Sequence, residues 1–206
     1  MLTLSIQSGG RSTRMGQDKG LLPFLGEPLV KRVVSRVAHT ADEIIITTNN
    51  PSAYSFLEVP LFPDILPGLG ALSGLYTSLV NANHPVVALV ACDLPFANAA
   101  LLLVCRDILL DTKADAVVPA TEHGLEPLHA VYRKDSCLPL VEKALKKGKR
   151  RMVGWHEDAT IHVLHPDLVA KYDPFGVTFW NVNTPEEFHK AEAKAKELAQ
   201  GKPKLS

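Results

Sequence analysis

Residues Leu2-Thr3-Leu4-Ser5-Ile6-Gln7 run straight into Ser8-Gly9-Gly10-Arg11-Ser12-Thr13-Arg14-Met15-Gly16-Gln17-Asp18-Lys19. Apolar and polar residues alternate from Leu2 to Gln7, which is the period of a β-strand. Ser8 to Gly16 reads as a glycine-rich loop. Glycines let a backbone take unusual φ values and approach a ligand closely, and successive N–H groups there form a concave nest for an anion. Arg11, Arg14 and Lys19 add positive charge to the same stretch. Together these features suit a polyphosphate; the plainer alternative is a surface turn with solvated charges. The stretch lacks G-x-x-x-x-G-K-[ST], so it is not a P-loop, and it lacks the G-x-G-x-x-G of dinucleotide sites.

Working outward, Leu29, Val33, Val34 and Val37 stand at helical spacing, so Pro28 to His39 reads as a helix with proline near its start. Glu43 to Thr48, with Ile44-Ile45-Ile46, reads as a buried strand, and Val59 to Phe62 as a short one. A loop over 63–70 precedes a helix marked by Leu72, Leu75, Tyr76 and Leu79. Val86 to Ala91 is an almost continuous apolar run, the pattern of a central strand covered on both faces. A helix over 97–110 and a strand over 114–119 follow. Later, 129–132 and 160–164 read as strands and 136–146 as a helix. Thr184, Pro185 and Glu187 form a capping-box start for a last helix ending near Ala199. Alternating strands and helices predict an α/β fold with a mainly parallel central sheet. The expected organisation is one domain over 1–199 with a polar tail over 200–206.

Composition removes several classes of function. With Lys+Arg 22 and Asp+Glu 22, the chain has no basic excess to neutralise nucleic-acid phosphates. It contains no run of about 18 apolar residues to span a bilayer. The three cysteines, Cys92, Cys105 and Cys137, are odd in number and form no C-x-x-C, which fits a reduced cytoplasmic compartment. No partner in nucleic acid or membrane is expected.

The pattern Gly9-Gly10-x-Ser12-x-Arg14-Met15-Gly16-x-Asp18-Lys19-x-Leu21-Leu22-Pro23-Phe24-x-Gly26-x-Pro28-Leu29 resembles the signature of the molybdenum cofactor guanylyltransferase family of nucleotidyltransferases. The resemblance implies a three-layer, Rossmann-like nucleotidyltransferase fold. It also implies a loop that wraps the triphosphate of GTP, with contacts from Gln7, Ser8, Gly9 and Gly10, and catalytic roles for Arg14 and Lys19. The family usually has Leu-Ala where this chain has Gln7-Ser8, a change that backbone contacts would survive.

Asp93, in Cys92-Asp93-Leu94-Pro95, follows the Val86–Ala91 run. Ligands of open α/β sheets bind outside the carboxyl ends of strands, and a carboxylate there suits Mg²⁺, which favours oxygen ligands and keeps waters and phosphates. A turn or helix-cap aspartate is the alternative. The resemblance makes Asp93 a catalytic metal ligand. It also makes Asp64, ahead of Pro67-Gly68-x-Gly70, a GTP contact. Asn181 and Asn183 lie two apart and would share a face in an extended strand; the resemblance sets them at the acceptor or metal edge. Where relatives carry an asparagine after the second strand, this chain has Thr47, with Asn49 two residues on.

The expected reaction is transfer of GMP from GTP to molybdenum-molybdopterin with loss of pyrophosphate, dependent on Mg²⁺. Molybdoenzyme-specific chaperones would be further partners. The alternatives are a CTP-dependent molybdopterin cytidylyltransferase, a sugar-phosphate nucleotidyltransferase, and a non-catalytic carrier of the cofactor. His129 reads as a packed core residue, and His162 and His165 as structural. The basic run Lys146 to Arg151 reads as a solvated turn that could also attract an anionic acceptor.

Overall fold

The computed structural model describes residues 1–8 and 18–201. In chain order its elements are β1 (Leu2–Ser8), β2 (Pro23–Phe24), β3 (Glu27–Pro28), α1 (Leu29–Val37), β4 (Glu43–Thr48), α2 (Pro51–Tyr54), β5 (Leu61–Phe62), α3 (Ala71–Asn81) and β6 (Val86–Ala91). These are followed by α4 (Ala99–Asp111), β7 (Ala116–Thr121), β8 (Gly124–Leu125), β9 (His129–Arg133), α5 (Lys134–Lys146), β10 (Ile161–Leu164), α6 (Pro166–Tyr172) and α7 (Pro185–Ala199).

One sheet runs in the order β10-β7-β9-β6-β1-β4-β5, with β8 paired to β7. β1 pairs in parallel with both β4 and β6, β4 with β5, and β10 with β7. The expected α/β fold with a mainly parallel sheet is therefore observed. β8 and β9 are the exceptions, β8 antiparallel to β7 and β9 antiparallel to both β6 and β7. The chain between β7 and β9 is too short for a parallel crossover, which takes a dozen or more residues, so it returns antiparallel.

The alternation in β1 divides the interior. Leu2, Leu4 and Ile6 face a core with Val33 and Val37 of α1, Leu101 and Leu102 of α4, and Phe188 of α7. The opposite core joins Leu72, Leu75 and Leu79 of α3 with Val87, Leu89, Tyr132, Val141 and Trp155. Helices thus cover both faces, giving three layers. Among the described residues no helix is long and apolar enough to cross a membrane.

Four details differ from the sequence reading. The helix expected over 28–39 is α1 followed by a separate 3-10 turn, Ala38–Thr40, and Pro28 belongs to a hairpin with β2. That hairpin turns through Leu25 and Gly26 at φ 51° and 90°. The strand expected over 59–62 shrinks to Leu61–Phe62: Pro60 has no N–H to add to the ladder and Glu58 takes φ 54°. The segment 181–183 is not a strand, so the two asparagines do not share a strand face. Finally, α6 lies where the sequence reading assigns no element, with Pro166 at its first turn and the His165 side chain accepting from the Asp167 N–H.

Candidate active site

The carboxyl ends of β1, β4 and β6 lie side by side because their registers set Gln7 beside both Thr47 and Ala91. Beyond β6 the chain leaves the sheet in a turn that carries Asp93, and the Cys92 N–H donates to the Gln7 carbonyl at 3.0 Å. The Val182 N–H donates to the Asp93 carbonyl at 3.1 Å, which docks 181–183 against that turn. The capping box of α7 fixes the same segment. Glu187 Oε2 accepts from the Asn183 and Thr184 N–H groups at 2.7 and 3.1 Å, while Thr184 caps the Glu187 N–H.

Lys19 enters this corner from the one-turn helix Lys19–Leu21. Its Nζ donates to Asn183 Oδ1 at 2.6 Å and lies 3.7 Å from Asp93 Oδ2. Asp93 Oδ1 is buried and has no hydrogen-bond partner among the described residues. Burial raises the Asp93 pKa above its ordinary value, and Lys19 opposes that rise. A buried acceptor without a donor is uncommon in folded proteins and calls for an explanation. Here it leaves one carboxylate oxygen free beside an ammonium group.

A second unsatisfied carboxylate oxygen sits nearby in the chain order of the strands. Asp64, just after β5, exchanges two bonds with Asn49: its N–H donates to Asn49 Oδ1 and its Oδ2 accepts from Asn49 Nδ2, each at 3.0 Å. Its Oδ1 is buried without a partner among the described residues. Thr47 is fully buried, and its Oγ1 also lacks a partner. Gln7 donates from Nε2 to the Ala71 carbonyl at 3.1 Å and leaves Oε1 unsatisfied. Its amide lies flat against Gly74, where an added Cβ would fall 2.2 Å from Nε2, so α3 approaches β1 this closely only with glycine there.

Ser8 and Asp18 meet through Tyr54, a residue that sequence reading had not singled out. The Ser8 hydroxyl bonds the Tyr54 hydroxyl, which donates to Asp18 Oδ1 at 2.6 Å. Nothing in the local sequence marks Tyr54, because its role arises from the packing of α2 against the end of β1.

Of the residues expected at the site, Gln7, Ser8, Lys19, Asp64, Asp93 and Asn183 gather at the carboxyl edge, while Asn181 is exposed. Arg14, Gly9 and Gly10 lie outside the described residues. His129 is a core residue, as expected: fully buried, with Nε2 accepting from the Asn98 N–H at 3.0 Å and the ring edge-on to Phe179. Burial pushes its pKa down to about 4. Burial and the Asp93 carboxylate push the Cys92 thiol up to about 12, so it offers no thiolate nucleophile. The basic turn after α5 reaches the site's rim, since a Cβ on Gly70 would meet the Arg150 carbonyl at 3.4 Å. A separate groove of about 770 Å³, lined by Arg32, Arg36, Phe96, Tyr172, Phe175 and Lys194 among others, contains none of the gathered residues.

Residues 5–160 match the model of the family described as MobA-like NTP transferase domain. Molybdenum cofactor guanylyltransferase of Desulfosudis oleivorans is 32% identical over 194 residues, covering 93% of this chain and 94% of that protein. A probable molybdenum cofactor guanylyltransferase of Carboxydothermus hydrogenoformans is 32% identical over 92% of this chain and 94% of its own length. Among solved structures, molybdopterin-guanine dinucleotide biosynthesis protein A from Archaeoglobus fulgidus superposes with a TM-score of 0.83 at 22% identity, covering 95% of this chain and 99% of that one. At that identity the superposition speaks for the fold alone.

Proposed function

This chain belongs to the MobA-like NTP transferase family, and on that premise we propose that it transfers GMP from GTP to the phosphate of molybdenum-molybdopterin, releasing pyrophosphate and forming the guanine dinucleotide form of the cofactor. The observation that carries the reading is Lys19 held between Asn183 and Asp93, beside a buried Asp93 oxygen with no partner among the described residues.

The chemistry asks for positioning and charge neutralisation rather than a covalent intermediate. The acceptor is a phosphate monoester whose second pKa is about 6, so near neutral pH it is mostly a dianion and needs no general base. Its oxygen attacks the α-phosphorus of GTP in line, and pyrophosphate leaves with the bonding electron pair. Lys19 offsets charge on the phosphates, Asn183 holds the lysine in place, and Asp64 contacts the nucleotide. Asp93 would hold Mg²⁺, which when bound supplies further charge neutralisation to the phosphates. The donor set fits that ion. Among the described residues no group of three His, Cys, Asp or Glu could hold a metal, and Mg²⁺ commonly binds through one or two carboxylates plus water and substrate phosphates.

The test is pyrophosphate release from GTP and from CTP, each with molybdenum-molybdopterin and Mg²⁺. GTP should support release that depends on the acceptor and stops on chelation with EDTA. Release with CTP in preference to GTP would make the chain a cytidylyltransferase. A chain that binds the cofactor but releases no pyrophosphate would be a carrier, and the transferase reading would fall.

A further inference from the structure

Tyr54 is fully buried on α2, and its hydroxyl is the junction of two chain segments that border the site. On one side is Ser8, the last residue of β1, whose hydroxyl bonds the phenol. On the other is Asp18, the cap of the turn that carries Lys19. Asp18 Oδ1 accepts from Tyr54 at 2.6 Å and from the Gly20 N–H at 3.2 Å, and the Asp18 carbonyl accepts from the Leu21 N–H at 3.0 Å. The turn is also packed against the phenol. A Cβ on Gly20 would lie 2.5 Å from Tyr54 Oη and 2.8 Å from Ser8 Oγ.

We propose that Tyr54 is a positioning residue for Lys19: its hydroxyl ties Asp18 to the end of β1, fixing the turn from which the lysine reaches Asn183 and Asp93. The importance of that position rests on the reading of Lys19 as a phosphate contact. The direction of the bonds follows from the chemistry. Asp18 is a carboxylate and only accepts, so the phenol donates to it, and the Ser8 hydroxyl donates to the phenol oxygen. Burial keeps the phenol protonated by raising its pKa. The tether also turns the Asp18 carboxylate inward. A carboxylate released next to Lys19 would compete for the ammonium group and repel an approaching polyphosphate.

Tyr54→Phe removes one oxygen and keeps the ring. The readout is the acetylation rate of Lys19 by dilute N-hydroxysuccinimidyl acetate, followed by peptide mass spectrometry and scaled to Lys31, whose side chain is 53% exposed. Lys134, whose Nζ donates to the Ala82 carbonyl at 2.6 Å, reports general loosening. In Tyr54→Phe the Lys19 rate should rise several-fold while that of Lys134 stays constant. Asp18→Asn, which keeps an acceptor oxygen for Tyr54, should leave Lys19 protected. An unchanged Lys19 rate in Tyr54→Phe, or a parallel rise at Lys134, would overturn the proposal. Should Tyr54→Phe not fold, Ser8→Ala is read by the same criteria. Because turnover is not the readout, a negative result leaves the transferase reading intact. A freed Lys19 in an enzyme that turns over no GTP would do the opposite.

Discussion

The two ends of the same three strands are built to opposite rules. At the amino ends of β1, β4 and β6 the polar groups satisfy one another. Thr3 donates to Glu43 Oε2, the Asn83 N–H donates to the same oxygen at 2.9 Å, and the His84 N–H donates to Thr3 Oγ1 at 3.2 Å. Asp42 accepts from the Leu2 N–H at 2.7 Å. Burial pushes Glu43 upward in pKa, yet the bonds from Thr3 and Asn83 outweigh it and hold the carboxyl below its usual range. At the carboxyl ends the balance is reversed. Among the described residues, Gln7 Oε1, Thr47 Oγ1 and Asp93 Oδ1, with Asp64 Oδ1 after the neighbouring β5, are all buried without partners, and Asp93 sits above its usual range because burial dominates. One end is closed by the protein itself. The other keeps donors and acceptors in reserve, as expected where a ligand completes the bonding.

The sharpest way to break this contrast is to delete one carboxylate from each end. Asp93→Ala should lower turnover by about 10²–10³-fold, the usual cost of removing one preorganised charge contact. Its melting temperature should not fall, since a buried, unsatisfied oxygen is removed. Glu43→Ala should do the reverse. The rate per folded molecule should hold, while urea unfolding shows a loss of about 1–3 kcal/mol from the Thr3 and Asn83 donors left without an acceptor. A destabilised Asp93→Ala with normal turnover would erase the distinction between the two ends.

A smaller effect comes from His129, which pairs with Val90 near the carboxyl end of β6 but serves packing. Its folded pKa of about 4 lies below the ordinary value of 6.5. The unfolded chain therefore binds the extra proton first as pH falls. The stability tied to the neutral imidazole is complete above about pH 6.5 and is lost between there and about pH 4, with a magnitude on the order of 3 kcal/mol. His129→Gln retains an acceptor for the Asn98 N–H and does not titrate, so its urea midpoint should vary less over that window than the wild type's. Equal slopes would show that His129 is not the titrating group.

Much of this contrast is legible in the sequence. The strands β1, β4 and β6 announce themselves because burial imposes either strict alternation or an unbroken apolar run, and the α7 cap follows from Thr184, Pro185 and Glu187. Lys19 and Asp93 were visible as a cation after a glycine loop and an acid after a buried strand. What stayed hidden depends on packing between distant segments. The antiparallel β9 is set by the length of its connection, not by its composition. The Asn183–Lys19 bond joins residues 164 positions apart. Tyr54 looks like any core aromatic until α2 is folded against Ser8. Asn181 and Asn183 do not share a strand face because 181–183 is not a strand, and the capping box of α7 holds the Asn183 backbone but not that of the exposed Asn181.

If the unsatisfied groups at the carboxyl ends receive a nucleotide triphosphate with its metal, a crystal structure of the chain with GTP and Mg²⁺ should hold the ion on Asp93 Oδ1 and the phosphates within hydrogen-bond reach of Lys19 Nζ. Phosphates bound elsewhere, such as in the Arg32–Arg36 groove, with Asp93 Oδ1 still unpartnered, would contradict it.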